Sequence, residues 1–236
     1  MSIHNKTARL AGFIYFVVII TGFFSLMYVP SQLIVWEDPA LTFQNISSSV
    51  SLFRLGIASS MICYIAFALL PLVLYQLLKD VNANAASLMV IFAIISVPIS
   101  FINLQSKFSV LTIIEGADYL KVFDAKQLQA QLMLLLSSYN KGILIVQIFW
   151  GLWLLPLGYL VYTSGFLPKI LGIFLMLGCF GYIINVFGRT IIPHFSDYTL
   201  SGYITLPASI GEIGLGLWLL VVGVKNKSVN SIHLEK

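Results

Sequence analysis

Glu212 sits in the middle of a long apolar stretch, LPASIGEIGLGLWLLVVGV at 206–224. A charged side chain at bilayer depth is costly, by about 2.5–3.5 kcal/mol on insertion scales, so such groups are retained where they are partnered, protonated or used. The chemistry a lone carboxylate offers there is solute binding, proton exchange or general acid–base work. Acid–base catalysis also needs a second group within hydrogen-bond reach. Only arginine and serine candidates are visible for that role, so the sequence leans against an enzyme and supplies no catalytic residue.

Other polar residues recur at helical spacing in neighbouring apolar stretches. Ser96, Ser100, Asn103 and Lys107 are four, three and four residues apart, which puts them on one helix face. Gly181, Asn185 and Arg189 form a second stripe, and Thr205, Ser209, Glu212 and Gly216 a third. Gln147 and Arg54 add polar groups from two further stretches. Polar faces in lipid turn toward each other or toward water. The candidate ligand- or cavity-binding residues are therefore Arg54, Asn103, Lys107, Gln147, Asn185, Arg189, Ser209 and Glu212. The favoured reading is a cavity open to the outside with Glu212 near its floor. The alternative is that the seam only bonds helix to helix. Arg189 and Arg54 are the expected partners of Glu212, with Asn185 as a bridge.

Familiar catalytic signatures are missing. There is no HExxH, and the three histidines are His4, His194 and His233, two of them in terminal tails, so no metal site is expected. PASIG at 207–211 lacks the first glycine of a nucleophile elbow. No phosphate-binding loop occurs, and no cofactor is expected. Cys63 and Cys179 lie in apolar stretches and read as small core residues. His194, beside Asp197, reads as a solvated loop residue, and Trp150, Trp153 and Trp218 as packing or interface residues. The segment WEDPALTFQNISSS at 36–49 reads as a loop, a candidate lid over the cavity.

The elements that position these residues follow from composition. The 236 residues are 59% hydrophobic and 9% charged, where a soluble domain carries about 25% charged residues. The solvent that fits is lipid. Six stretches near 9–29, 54–78, 86–108, 142–163, 168–189 and 203–224 are long enough to cross it. The expected architecture is an all-α, polytopic transmembrane bundle of six spans plus a surface amphipathic helix, with 1–236 as a single domain. The first stretch lacks a small-x-small cleavage site and reads as a retained helix. Links after spans two and four are short, and Gly165 and Pro168 mark a helix stop and start. Leu128, Leu132, Leu135 and Leu136 recur at helical spacing, which fits an amphipathic surface helix or an outward extension of span four.

Basic residues set the expected orientation. Lys6, Arg9, Lys79, Lys169, Lys225, Lys227 and Lys236 fall on the side of the termini; Arg54, Lys107, Lys121, Lys126, Lys141 and Arg189 fall on the other. Arg54, Lys107 and Arg189 lie at or within helix ends, where burial would discount them and leave seven against three. Both termini are then expected in the cytoplasm of a multi-pass cell-membrane protein. The net charge of +4 comes from few acids and not from a basic run, which argues against nucleic acid as a partner. The expected partners are the bilayer and a small-molecule or ion ligand; oligomeric state is not readable.

Five blocks follow one another in order: KTARLAGFIYFVVIITGFFS, YVPSQLIV, NISSSVSLFRLGI, FWGLWLLPLGYLVYTSGFLPKILG and LPASIGEIGLGLWLLVVGV. Together they resemble the bacterial membrane family known as domain of unknown function 4386, from about 6 to 225, most specifically at 151–172. Arg54 and Glu212 fall within the resembling blocks, whereas 109–140 and 189–202 match least. The resemblance implies a six- or seven-span bacterial inner-membrane protein and no particular activity. The best functional reading is binding or transport of a small solute through an outward-facing polar cavity with a protonatable Glu. A non-enzymatic membrane scaffold or sensor stands second, and a membrane-embedded enzyme of unfamiliar type third.

Overall fold

Long runs of Leu, Ile, Val and Phe leave a backbone in lipid one economical way to satisfy its polar groups, the α-helix. The computed structural model describes residues 3–224, and its regular elements are helices throughout. α1 (Ile3–Phe23) continues through a π-helical turn (Phe24–Tyr28) into α2 (Val29–Leu33). A separate helix, α3 (Pro39–Ser48), precedes α4 (Val50–Leu78), α5 (Ala83–Ile114), α6 (Ala125–Thr163) and α7 (Lys169–Ile191). A short α8 (Thr199–Tyr203) leads into α9 (Leu206–Val221). Among the described residues, six helices are long and apolar enough to cross a membrane: 4–33, 50–78, 83–114, 125–163, 169–191 and 201–221. These match the six expected spans and show a membrane protein.

The spans pack in chain order, α1 on α4, α4 on α5, α5 on α6, α6 on α7 and α7 on α9. The last then packs on the first, α9 against α1, which closes a ring. The Val224 amide donates to Asn5 Oδ1 at 2.9 Å, so the two ends of the described chain meet at one end of the ring, called here the terminal end. Glycines permit the closest approaches. A Cβ on Gly12 would lie 2.3 Å from the backbone nitrogen of Leu220, and one on Gly158 would lie 2.7 Å from the Gly172 carbonyl oxygen. Small residues at such crossings are the usual device for helix contact in lipid, where hydrophobicity gives no preference between a neighbour helix and a lipid tail.

Toward the terminal end the ring is filled solid. Leu70, Leu74, Trp153, Leu154, Leu157, Leu215 and Leu219 are fully buried there. Toward the distal end a second cluster built on Phe53, Ile57, Leu104, Val110, Leu132 and Leu136 packs α4, α5 and α6 together. Outward-facing Leu, Ile and Phe cover the rim of the ring, as lipid contact requires.

Two connections differ from a simple loop. The segment 125–142, expected as a separate surface amphipathic helix, is instead the first part of α6 and continuous with span four, opened by an Asp124–Gln127 capping box. The 36–49 segment, expected as a loop, contains α3. Asp38 caps it by accepting from the Leu41 amide at 2.9 Å, and Pro39 occupies its first turn.

The balance of basic residues between the two ends also shifts. Of the three basic residues discounted as buried, Lys107 is buried, but Arg54 and Arg189 are exposed. That leaves seven basic residues against five, and three of the seven, Lys225, Lys227 and Lys236, lie outside the described residues. His233 lies outside them as well.

Candidate functional site

The ring encloses space where its filling stops. An outer chamber of about 530 Å³ opens at the distal end, lined by the α6 residues Asn140, Lys141 and Gln147, the α7 residues Asn185 and Arg189, and the link residues His194 and Ser196. A middle chamber of about 430 Å³ is lined by Leu26, Pro30, Lys107, Tyr139 and Trp150 among others. A deep chamber of about 230 Å³ is lined by Tyr15, Cys63, Tyr64, Phe67, Ser100, Trp153, Ser209 and Glu212. Outer and middle chambers share Trp36, Asn140, Ile143 and Gln147. Middle and deep chambers share Leu26, Trp150 and Tyr182. The three chambers are therefore neighbours with common walls, in the order outer, middle, deep, and Glu212 stands in the wall of the last.

The outer chamber is polar by construction. Asn185 Nδ2 donates to Gln147 Oε1 at 2.9 Å, joining α7 to α6, and Arg189 Nε donates to Asn185 Oδ1 at 3.0 Å. The four-residue spacing of Asn185 and Arg189 makes the second bond, as one helix turn should. His194 adopts a left-handed backbone (φ 58°), and its Nδ1 lies 3.5 Å from Asp197 Oδ2. Lys141, Arg189 and His194 are the ionisable residues in this lining; no Asp or Glu is among the lining residues described.

Lys107 governs the middle chamber. Its side chain is 4% exposed, its Nζ stands 4.2 Å from the centre of the Tyr139 ring, and it donates to the Ser25 carbonyl at 3.4 Å. The sequence explains why that carbonyl is open to it. Pro30 has no N–H, and the adjacent turn widens so that the Val29 amide reaches back to Phe24. The Ser25 carbonyl then accepts from Lys107 across the ring. No carboxylate lies within ion-pair distance of Lys107 among the described residues, although the ion pairs Arg54–Glu115, Lys121–Asp118 and His194–Asp197 form elsewhere.

The deep chamber is aromatic. Trp153 is fully buried, with its ring centre 5.1 Å from that of Phe67 and 6.2 Å from that of Tyr15. Its indole Nε1 has no hydrogen-bond partner among the described residues. Tyr15 donates to Glu212 Oε1 at 3.2 Å. This bond, from the first span to the last, is the one Glu212 makes in place of the expected arginine.

The remaining candidates are placed as follows. Lys107, Gln147, Asn185, Arg189, Ser209 and Glu212 line the chambers. Asn103 does not; its Nδ2 donates to the Tyr139 carbonyl at 2.9 Å, and the missing side chain of Gly142 makes room for it. Arg54 lies apart, exposed and paired with Glu115. From the 36–49 segment Trp36 reaches the outer and middle chambers, whereas no α3 residue lines any of the three. Sequence reasoning missed Tyr15, Tyr64, Tyr139 and Tyr182. The available signal was depth: tyrosines favour the membrane interface, so one placed mid-span calls for a buried partner.

The family model for "Domain of unknown function (DUF4386)" matches residues 10–223, nearly all of the described chain. The chain belongs to the DUF4386 family. This member is 30% identical over 158 residues to an uncharacterized protein of the archaeon Archaeoglobus fulgidus, a match covering 67% of this chain and 77% of that one. No solved structure matches it. The matched DUF4386 segment runs from the second turn of α1 to the end of α9 and so contains every residue lining the three chambers.

Proposed function

We propose that this DUF4386 protein binds a small solute in its consecutive chambers and moves it across the bilayer, with Glu212 as the protonatable group at the floor. The observation that carries this reading is the sharing of wall residues, Gln147 between outer and middle chambers and Trp150 and Tyr182 between middle and deep ones. Ligand sites in membrane transport proteins lie near mid-bilayer between helices, and Glu212 occupies that depth. The packed layer of Trp153, Leu154 and Leu157 fills the terminal side of the ring, while exposed Phe23, Ser209 and Ile213 border the deep chamber between α1 and α9.

Both termini are placed in the cytoplasm, and the open chamber then faces outward. The remaining excess of basic residues on the terminal side, seven to five, supports this assignment. The test is solute-dependent stabilisation of the purified chain. A binding role predicts that Glu212→Gln folds normally and loses it.

The scaffold reading has its own support. Asn103–Tyr139 joins α5 to α6 and Asn185–Gln147 joins α6 to α7, as interhelical glue would. It predicts instead that Glu212→Gln only lowers stability. A catalytic reading has less to build on, because the group bonded to Glu212 is the Tyr15 hydroxyl.

A further inference from the structure

The clearest unmet demand in the molecule is the Lys107 ammonium. It has three donors, is 4% exposed, and spends one donor on a bond of 3.4 Å to Ser25. The Tyr139 ring face offsets part of its charge. A buried cation is ordinarily retained with a counter-charge, and none of the described residues supplies one. Lys107 also faces a chamber of about 430 Å³.

Charge along the path has a direction. Lys141 and Arg189 stand in the outer chamber and Lys107 in the middle one, with no carboxylate in either lining. Past Lys107 the walls turn apolar and aromatic, with Glu212 as the acid in that lining. An organic ammonium would suit the aromatic rings and Glu212, but by the outer route it would have to pass Lys141, Arg189 and Lys107. An anion entering that way would be attracted by all three and would meet Lys107 last. Ser25, which accepts from Lys107, and Tyr15, which donates to Glu212, are ten residues apart on the first span, roughly 15 Å along a helix at 1.5 Å per residue.

We propose that Lys107 is the head-group site for an amphipathic organic anion, whose acidic head sits in the middle chamber and whose apolar chain lies in the deep aromatic chamber beside Glu212. This names the ligand class for the binding reading above and rests on it. The head can be carried by a solute arriving through the outer chamber or by an acidic lipid. The shared chemistry is an acidic group on an apolar chain.

The experiment uses the full chain in phosphatidylcholine nanodiscs. Octanoate, octylammonium, octanol and acetate are titrated, with tryptophan fluorescence and thermal unfolding as readouts. Octanoate should give a saturable change, with acetate and octylammonium at least about tenfold weaker, the scale of one charged hydrogen bond. Lys107→Met should lose octanoate binding by a similar factor while keeping its unfolding midpoint and elution profile, and Lys107→Arg should retain binding. A matching experiment in phosphatidylglycerol nanodiscs assigns the source: suppression of the octanoate response there means that lipid supplies the head, and an unchanged response means a solute does. Octylammonium or octanol binding saturably while octanoate does not would overturn the anion assignment and leave the binding reading standing. Equal octanoate binding by Lys107→Met would overturn it as well. If none of the four probes gives a saturable change, both readings fall.

Discussion

Tyr15 and Glu212 are 197 residues apart in the chain, and the tyrosine hydroxyl donates to the carboxylate at 3.2 Å. The bond crosses the seam where α9 packs on α1 and the ring closes. It fixes the carboxylate's direction in the wall of the deep chamber.

Removing the hydroxyl tests that bond. Tyr15→Phe should lower stability by about 0.5–1.5 kcal/mol, the net worth of one hydrogen bond. Combined with Glu212→Gln in a double-mutant cycle, the two losses should be less than additive, because the partners touch. Reversible unfolding in mixed detergent–lipid micelles measures both.

Lys107→Met should leave the ligand-free protein as stable as the parent or more so. The substitution keeps an unbranched chain while relieving the desolvation of an ammonium that lacks a carboxylate partner. A fall of several degrees in the unfolding midpoint would assign Lys107 a structural role through Ser25 and Tyr139 instead.

The α6–α7 crossing is set by facing glycines. Gly158→Leu would push side-chain atoms into the Gly172 carbonyl, 2.7 Å from the position of the Cβ alone. Overpacking of this kind costs about 1–3 kcal/mol. Since α6 and α7 also carry Gln147, Asn185 and Arg189, the same substitution should weaken solute binding in the outer chamber, measured by titration at a temperature where the variant is folded.

Arg54→Ala should be nearly silent. The residue is exposed and paired with Glu115, and exposed pairs contribute roughly 0–1 kcal/mol. It lines none of the chambers, so neither solute binding nor the unfolding midpoint should move beyond that scale.

A reporter enzyme fused after Lys236 should be active in its cytoplasmic form. A periplasmic signal would reverse the orientation and turn the open chamber to face inward.

The spans were legible because lipid imposes hydropathy over about twenty residues at a time, and a stripe such as Ser96–Ser100–Asn103–Lys107 is written into one helix's periodicity. The partner of Glu212 was not legible, because which spans adjoin is decided by ring closure between the first and last helices, a relation between distant segments. Arginine was the expected partner on grounds of charge; the packing brought a tyrosine hydroxyl. Helix α3 was readable in principle, since Asp38–Pro39 is a helix-start signal, yet polar composition suggested a loop. The continuity of α6 was one of two readings of Leu128, Leu132, Leu135 and Leu136; the SSYNKG run at 137–142 carries the Asn and Gly of a helix stop, yet the helix continues through it, and Gly142 makes room for Asn103.

Ring closure also bears on biogenesis. α1 is made before α9, and its small-residue face at Gly12, together with the Tyr15 hydroxyl, is matched by α9. Throughout synthesis of the intervening helices that face has no native neighbour and must be shielded by lipid, by the insertion machinery or by another chain. A nascent protein released before residue 206 would carry an unsealed flank. The flank of α1 is thus completed only after the four intervening spans have been made.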